Sequence, residues 1–492
     1  MKQQELEIEF DDETISKLFG TEAAEDEDFY RLQSYYVKNK THKNLTSNIP
    51  IRILVGHKGI GKSAIFQMAQ HEDRLNNKIS IIIHPDDISD FGRNGSDFHQ
   101  MIRDWKEGLI EKIATRVLEN LEFDFDNAKV KAGIKGTGKV ISFISQIFNS
   151  KISENVDLLP AKREAINLFL KEKNIIVYID DLDRGWESKK EDIQRISALL
   201  NAIRDLCNEN QGLRIRISLR SDVYYLVRTS DESTDKIEGY VLWHSWTNHD
   251  ILLLLIKRIE AFWGREFDPH QYRHTPQKDV AQFLNSIFEK RFEDIGKWSD
   301  APMYRVLMSL IRKRPRDLVK LCSLAARNAF ENDSSKISTT NLKAVFSEYS
   351  QGRIQDTINE YKSELPDISR LLFGMKPSRN EIRASKGWIY TTSELRQKIR
   401  NIMQGGDFKL KNGSKASDKI LAQFLYKINF LTARKDMDDG TIVRHYFEEK
   451  QYLAADISDF GYTWEIHPAF RWALSPDNDS WPLLNVDLSN EG

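Results

Sequence analysis

Val55-Gly56-His57-Lys58-Gly59-Ile60-Gly61-Lys62-Ser63-Ala64 fits G-x-x-x-x-G-K-[ST] over residues 56–63. The apolar run Ile51 to Val55 leads into it, and a helix-like run, Ala64 to Gln70, leads out. That strand–loop–helix setting separates a phosphate-binding loop from a chance match. Gly56, Gly59 and Gly61 let the backbone curl, so that their N–H groups and those of His57, Lys58, Ile60 and Ala64 converge on phosphate oxygens. The helix beginning near Lys62 points its positive end at the same place. Lys62 is placed to reach the β- and γ-phosphates, and the Ser63 hydroxyl to ligate Mg2+.

The second half of such a site is an apolar strand that ends in acids. Asn174-Ile175-Ile176-Val177-Tyr178-Ile179-Asp180-Asp181-Leu182-Asp183-Arg184 supplies it. Carboxylates at the C-terminal edge of a parallel strand lie where α/β sheets place their ligands. Asp180 is the candidate Mg2+ ligand, directly or through water, and Asp181 the acid that polarises an attacking water. A look-alike at Gly133-Ile134-Lys135-Gly136-Thr137-Gly138-Lys139-Val140 lacks both the leading strand and the hydroxyl, so it reads as a basic loop.

The remaining core elements follow the same alternation. Ile79 to His84 is a buried, parallel-type strand stopped by Pro85, with His84 read as a structural histidine. Residues 97–120 and 189–208 have helical apolar spacing. Leu213 to Leu219 alternates as a strand and ends in Arg220, a candidate γ-phosphate sensor, and Tyr240 to Trp243 is a candidate last strand. Upstream, Phe19-Gly20 reads either as part of a solvated face or as the lining of an adenine pocket.

From about residue 248 the pattern turns helical, with amphipathic runs at 250–262, 278–293, 301–312 and 341–373. Arg316, after Pro315 at a helix start, is positioned to swing onto a nucleotide from a small lid. Residues 387–475 read as helices at 392–404 and 418–427 followed by strand-like pieces around 442–453 and 460–466, the order of a winged helix. Such a unit, with Lys409, Lys411, Lys415 and Lys419, serves DNA or protein partners equally. The predicted organisation is an ATPase core at 1–247, with an insertion near 121–160, a helical lid at 248–380, a winged-helix-like domain at 381–476 and a tail at 477–492.

Composition removes several function classes. The 492 residues are 40% hydrophobic and 30% charged, a globular balance. Lys and Arg total 72 against 74 Asp and Glu, so only local patches, not global charge, can recruit nucleic acid. Cys207 and Cys322 make neither a disulfide framework nor a thiolate zinc site, and a reducing compartment fits. The acidic start has no apolar segment of the signal-peptide kind, and the longest apolar run, Ile251 to Ile256, is far too short for a membrane span. A cytoplasmic location with no membrane partner is expected. There is no N-K-x-D, L-S-G-G or G-x-S-x-G; D-F-G occurs at Asp90-Phe91-Gly92 and Asp459-Phe460-Gly461, without an H-R-D before either.

Taken together, these residues resemble bacterial P-loop ATPases of the AAA+/STAND/KAP type, above all those with the plan of the origin-recognition ATPases. The resemblance rests on residues 56–64, Ile179-Asp180-Asp181-Leu182-Asp183-Arg184 and Leu219-Arg220-Ser221-Asp222. It rests too on Arg314-Pro315-Arg316-Asp317-Leu318, Ile466-His467-Pro468-Ala469-Phe470-Arg471, and the lead-in Phe19-Gly20 with Ala24-Glu25. It implies an α/β P-loop sheet, a helical lid and a winged-helix-like domain. It implies ATP and Mg2+ held by Lys62, Ser63 and Asp180, with Asp181 on the water. Arg220 resembles a first sensor, Arg316 or Arg314 the lid sensor, and Arg184 an arginine finger that would act in a homo-oligomer. Asp181 stands where this group usually has Glu; a shorter acid must hold its water differently, and slow turnover would suit a switch better than a motor. The implied role is a regulatory ATPase controlling a partner effector in signalling or anti-phage defence. The rival reading is a DNA-binding, repair-associated module whose nucleotide site is largely structural.

Overall fold

The computed structural model describes residues 8–21, 26–92, 97–120, 123–124, 129–130, 174–230, 232–384, 387–438, 442–455, 461–475, 480–484 and 487–488. The look-alike at 133–140, and most of the insertion expected near 121–160, lie outside them. The chain divides into two compact units: Lys38–His57 with Lys62–His244, and Met1–Val37 with Lys58–Gly61 and Ser245–Gly492.

The first unit is built on five parallel strands: β1 (Ile51–Val55), β2 (Ile79–Ile83), β3 (Ile175–Ile179), β4 (Leu213–Leu219) and β5 (Val241–Trp243). Their spatial order is β2-β3-β4-β1-β5. The register sets Ile51 beside Ile215, Ile53 beside Val241, Ile83 beside Ile179 and Tyr178 beside Arg216. Runs such as I-S-I-I-I and I-I-V-Y-I are nearly all apolar because a parallel sheet is covered on both faces. Helices α1 (Lys62–Leu75), α2 (Phe98–Asn120), α3 (Lys190–Glu209) and α4 (Ser221–Ser230) belong to the same unit. One sheet face, carrying Ile53, Val177 and Ile215, packs with Trp105, Leu109, Leu199 and Ile203 of α2 and α3 into a single buried cluster. The other face carries Tyr178, whose ring meets Phe66 of α1 at 5.2 Å. This is an α/β P-loop core, as the strand–loop–helix motif predicts.

The second unit is mainly helical: α5 (Asn248–Phe262), α6 (Met303–Leu310), α7 (Pro315–Glu331) and α8 (Thr339–Tyr361). Thr247 caps α5 reciprocally with Asp250, and Ser338 caps α8 with Asn341. The helix expected over 278–293 is not formed. Gln277–Val280 is followed by a 3-10 turn, Ala281–Ser286, and by a two-residue strand, Arg291–Phe292. Long-range pairing wins there: the Ile337 N–H donates to Ile287 O at 2.8 Å, and the Glu289 N–H donates to Ile337 O at 3.0 Å.

Further along come α9 (Thr392–Met403) and α10 (Asp418–Lys427), with strands β6 (Ile389–Tyr390), β7 (Leu431–Asp436), β8 (Ile442–His445) and β9 (Thr463–Ile466) in the order β6-β9-β7-β8. The two helices fall where the sequence reading put them, and strands form within the pieces expected around 442–453 and 460–466, but these do not pair with each other: β7, missing from the reading, lies between them. Asn429, in the left-handed region at φ 56, ends α10 and turns the chain into β7. Among the described residues no helix is long and apolar enough to cross a membrane.

A buried carboxylate organises this small sheet. Glu465 accepts from Arg444 Nε at 2.7 Å and from Arg471 Nη2 at 2.5 Å, with all three side chains shielded from water. Nearby, the Ala469 N–H donates to His467 Nδ1 at 3.1 Å, and the Tyr446 hydroxyl lies 2.8 Å from His467 Nε2. Burial first, then Arg312 and Arg444, drives the His467 imidazole well below its ordinary value, so it is neutral. Burial alone would raise the Glu465 carboxyl. Arg444 and Arg471 outweigh that and pull it down to about 2. Both folded values lie below the unfolded ones, so both groups contribute stability at neutral pH that is lost on acidification. His467 begins to cost stability below its ordinary 6.5. The Glu465 contribution, roughly 3 kcal/mol, is lost between its ordinary 4.5 and about 2. A urea-midpoint series against pH should show this acid limb, flattened below pH about 4.5 in Glu465→Gln.

Candidate phosphate and metal site

Local sequence places the first group of side chains. β1 runs out at Gly56, whose N–H donates to Leu219 O at 3.2 Å, tying the loop to the tip of β4. His57 is buried and its Nδ1 lies 3.0 Å from the Ser221 hydroxyl at the start of α4. Lys62 opens α1 and its ammonium donates to Gly56 O at 3.0 Å and His57 O at 3.2 Å. Ser63, half-buried, stands beside it in the first turn of α1, and Ala64 follows.

β3 delivers the acids. The Ser218 hydroxyl of β4 donates to Asp180 Oδ1, and the Asp181 N–H donates to the same oxygen at 3.0 Å. Asp180 is thus oriented by the strand that separates β3 from β1. Asp181 is exposed and sits in the left-handed region at φ 58, a backbone state that costs a non-glycine residue about 1–3 kcal/mol. Asp183 approaches Arg220 Nη1 at 3.5 Å. Burial raises the Asp183 carboxyl against the pull of Arg220 and Lys62. Arg220 is held by a two-pronged contact with Asp222, 3.1 Å from Nε and 2.7 Å from Nη2. Arg184 is 68% exposed, with Asp86 3.8 Å away. His84, read as structural, is exposed; its backbone N–H donates to Asp87 at 3.1 Å.

The second unit holds the crown of the loop, Lys58–Gly61. The Arg316 N–H donates to Gly59 O at 3.3 Å, Arg314 Nη1 donates to Lys58 O at 3.4 Å, and Trp246 Nε1 donates to Ile60 O at 2.8 Å. Gly59 and Gly61 adopt φ 76 and 97, so only glycine fits without strain. A Cβ on Gly59 would also stand 2.9 Å from the Arg316 Cβ. Of the adenine-pocket candidates, Phe19 is buried with its ring 6.3 Å from Phe288, and Gly20 takes φ 80 beside Glu27 and Arg258.

Ser218, Asp183, Trp246 and the side chain of His57 were not singled out from sequence. The acid-rich strand end was a signal for Asp183; the other three acquire their roles from tertiary neighbours. No group of three or more His, Cys, Asp or Glu side chains that could hold a metal occurs among the described residues. One hydroxyl and one carboxylate, Ser63 and Asp180, do fit Mg2+, which binds through one or two protein ligands together with phosphate oxygens and water.

Residues 270–358 match the FunZ-associated C-terminal helical domain. A putative transposon gamma-delta 80.3 kDa protein of Escherichia coli K12 is 21% identical over 460 residues, 85% of this chain. The chain spans 62% of that relative's length. Among solved structures, the Aeropyrum pernix ORC2 protein superposes with a TM-score of 0.39 at 12% identity, over 87% of each chain. The Aeropyrum pernix ORC1 protein in complex with DNA gives 0.32 at 11%, over 89% of this chain and 91% of that one. The Thermotoga maritima RuvB Holliday junction branch migration motor gives 0.29 at 10%, over 67% and 78%. Scores this low carry no argument; the strand order and the loop geometry carry the fold.

Proposed function

We propose that the chain binds ATP with Mg2+ and hydrolyses it slowly, as a switch that controls a partner protein. The observation that carries this reading is the Lys62 ammonium drawn across the loop carbonyls, on a strand–loop–helix whose Gly59 and Gly61 open the backbone. Ser63 and Asp180 would hold the Mg2+, which supplies charge neutralisation at the phosphates. Lys62 binds the β- and γ-phosphates and holds positive charge where negative charge builds. Asp181 orients the attacking water, with a shorter reach than the glutamate usual at this position. Arg220, anchored by Asp222, is the sensor on the same face as Asp183. Arg314 and Arg316, which touch Lys58 and Gly59, report the state of the loop to the helical unit. The exposed Arg184 would serve a neighbouring copy in a homo-oligomer. Signalling or anti-phage defence in a bacterial cytoplasm suits such a switch with a separate effector. In Asp180→Asn the protein should keep its fold by circular dichroism and lose Mg2+-dependent phosphate release. Unchanged release would contradict the assignment.

A second reading has one observation behind it. Lys409, Lys411, Lys415 and Lys419 are all exposed on the hairpin before α10 and in its first turn. The unit with α9, α10 and the sheet β6–β9 would then be a winged helix that binds DNA. Salt-dependent DNA binding that survives Lys62→Ala and weakens on replacing these lysines would favour it.

A further inference from the structure

At the end of the core sheet away from the phosphate loop lies a cavity of about 300 Å³, lined by Ser47, Asn48, Asp73, Lys78, Tyr178, Arg214 and Arg216 among others. Its origin is the alternation in L-R-I-R-I-S-L: Leu213, Ile215 and Ile217 enter the apolar core, so Arg214 and Arg216 are delivered to the opposite face. Arg216 is 2% exposed. Its Nη1 donates to Pro50 O and Ile215 O, each at 3.2 Å, and its Nη2 to Ser47 O at 2.7 Å. Among the described residues it has no ion-pair partner, and its Nε–H has no acceptor. The nearby carboxylate is already engaged: Asp73 accepts from the Tyr178 hydroxyl at 2.7 Å and from Lys78 Nζ at 3.2 Å. Arg214 is bound by Asn48 at 3.1 Å and by backbone carbonyls, and among the described residues by no carboxylate.

A buried guanidinium with no carboxylate in contact, as Arg216 is among the described residues, is costly, and proteins ordinarily pair it. Among the described lining residues, three cations and one carboxylate leave two positive charges in excess. A phosphate monoester carries a charge of about −1.5 to −2 at neutral pH, which matches. The volume stands at the small end of the range for small-molecule pockets.

We infer that this cavity is a second, distinct ligand site, for a small phosphate monoester held by the ammonium of Lys78 and the positive charge of Arg214 and Arg216 in its wall. The site shares helix α1 with the phosphate loop: Lys62 and Ser63 open that helix, and Asp73 lies near its other end. The inference stands independently of ATP hydrolysis.

The test is isothermal titration of glycerol 3-phosphate into the full chain carrying Lys62→Ala, which removes the phosphate-loop lysine, with glycerol as the uncharged control. Saturable binding is expected for the phosphate ester and none for glycerol. Adding Arg216→Gln should weaken it at least about tenfold. Should Arg216→Gln fail to fold, Lys78→Gln decides, because that side chain is 42% exposed and its loss spares the core. It should weaken binding about three- to tenfold. No saturable binding, or affinity unchanged in Lys78→Gln or in a folded Arg216→Gln, would overturn the assignment.

Discussion

Lys62→Ala should lower the proposed ATP turnover by about 10²–10³-fold, the loss typical of removing one preorganised charge-stabilising group. The side chain is fixed by two loop carbonyls, at 3.0 and 3.2 Å, so its charge is in place before substrate arrives and little reorganisation is needed. Half-buried at the first turn of α1, it contributes little apolar packing, and the fold should survive its loss. Steady-state phosphate release beside an unfolding curve separates the two effects. A variant of unchanged stability and unchanged turnover would remove the lysine from the mechanism. Lys62→Arg should rescue poorly, since a planar guanidinium cannot make the same pair of contacts from the same stem.

Asp317→Ala should cost about 3–5 kcal/mol of stability, because it strands the buried Arg312 and leaves Arg353 only the half-exposed Asp356. Asp317 is 1% exposed. It accepts from Arg312 Nε at 2.7 Å and Nη2 at 2.9 Å, and from Arg353 Nη1 at 2.7 Å. It also accepts the Arg312 backbone N–H at 3.2 Å, which pins the turn before α7. Burial would push this carboxyl up; Arg312 and Arg353 instead hold it well below its ordinary value. The turn it pins includes Lys313 at φ 52 and carries Arg314 and Arg316 to Lys58 and Gly59. Asp317→Ala should therefore loosen the crown of the loop as well as the helical unit. The urea midpoint measures the first effect; nucleotide affinity in the folded variant measures the second. Asp317→Asn, which keeps the shape but not the charge, should fall between.

The legible parts of the fold were those where local chemistry and tertiary role coincide. An all-apolar strand such as Ile175–Ile179 has no place except inside a parallel sheet, and the acids that end it have no place except at its tip. The loop announced itself because positive φ at Gly59 and Gly61 requires glycine. Where spacing is ambiguous, long-range contacts decided. Val280, Leu284, Ile287 and Phe288 keep helical spacing, yet the chain there leaves the helix to pair with Ile337. β7, L-T-A-R-K-D, has weak strand character of its own and forms because β8 and β9 flank it. The same division holds in the site. Lys62, Ser63 and Asp180 stand in motifs. Ser218 and Trp246 matter only because β4 separates β3 from β1 and because Ile60 O needs a donor. Arg216 reads from sequence as one half of an alternating strand; its orphaned N–H is visible only once the cavity is.

The most direct measurement is phosphate release from ATP by the purified full chain, with and without Mg2+, in the wild type and in Asp180→Ala. Slow turnover that requires both Mg2+ and Asp180 is the predicted result. Turnover that is equal in the two proteins, or indifferent to Mg2+, would contradict the account.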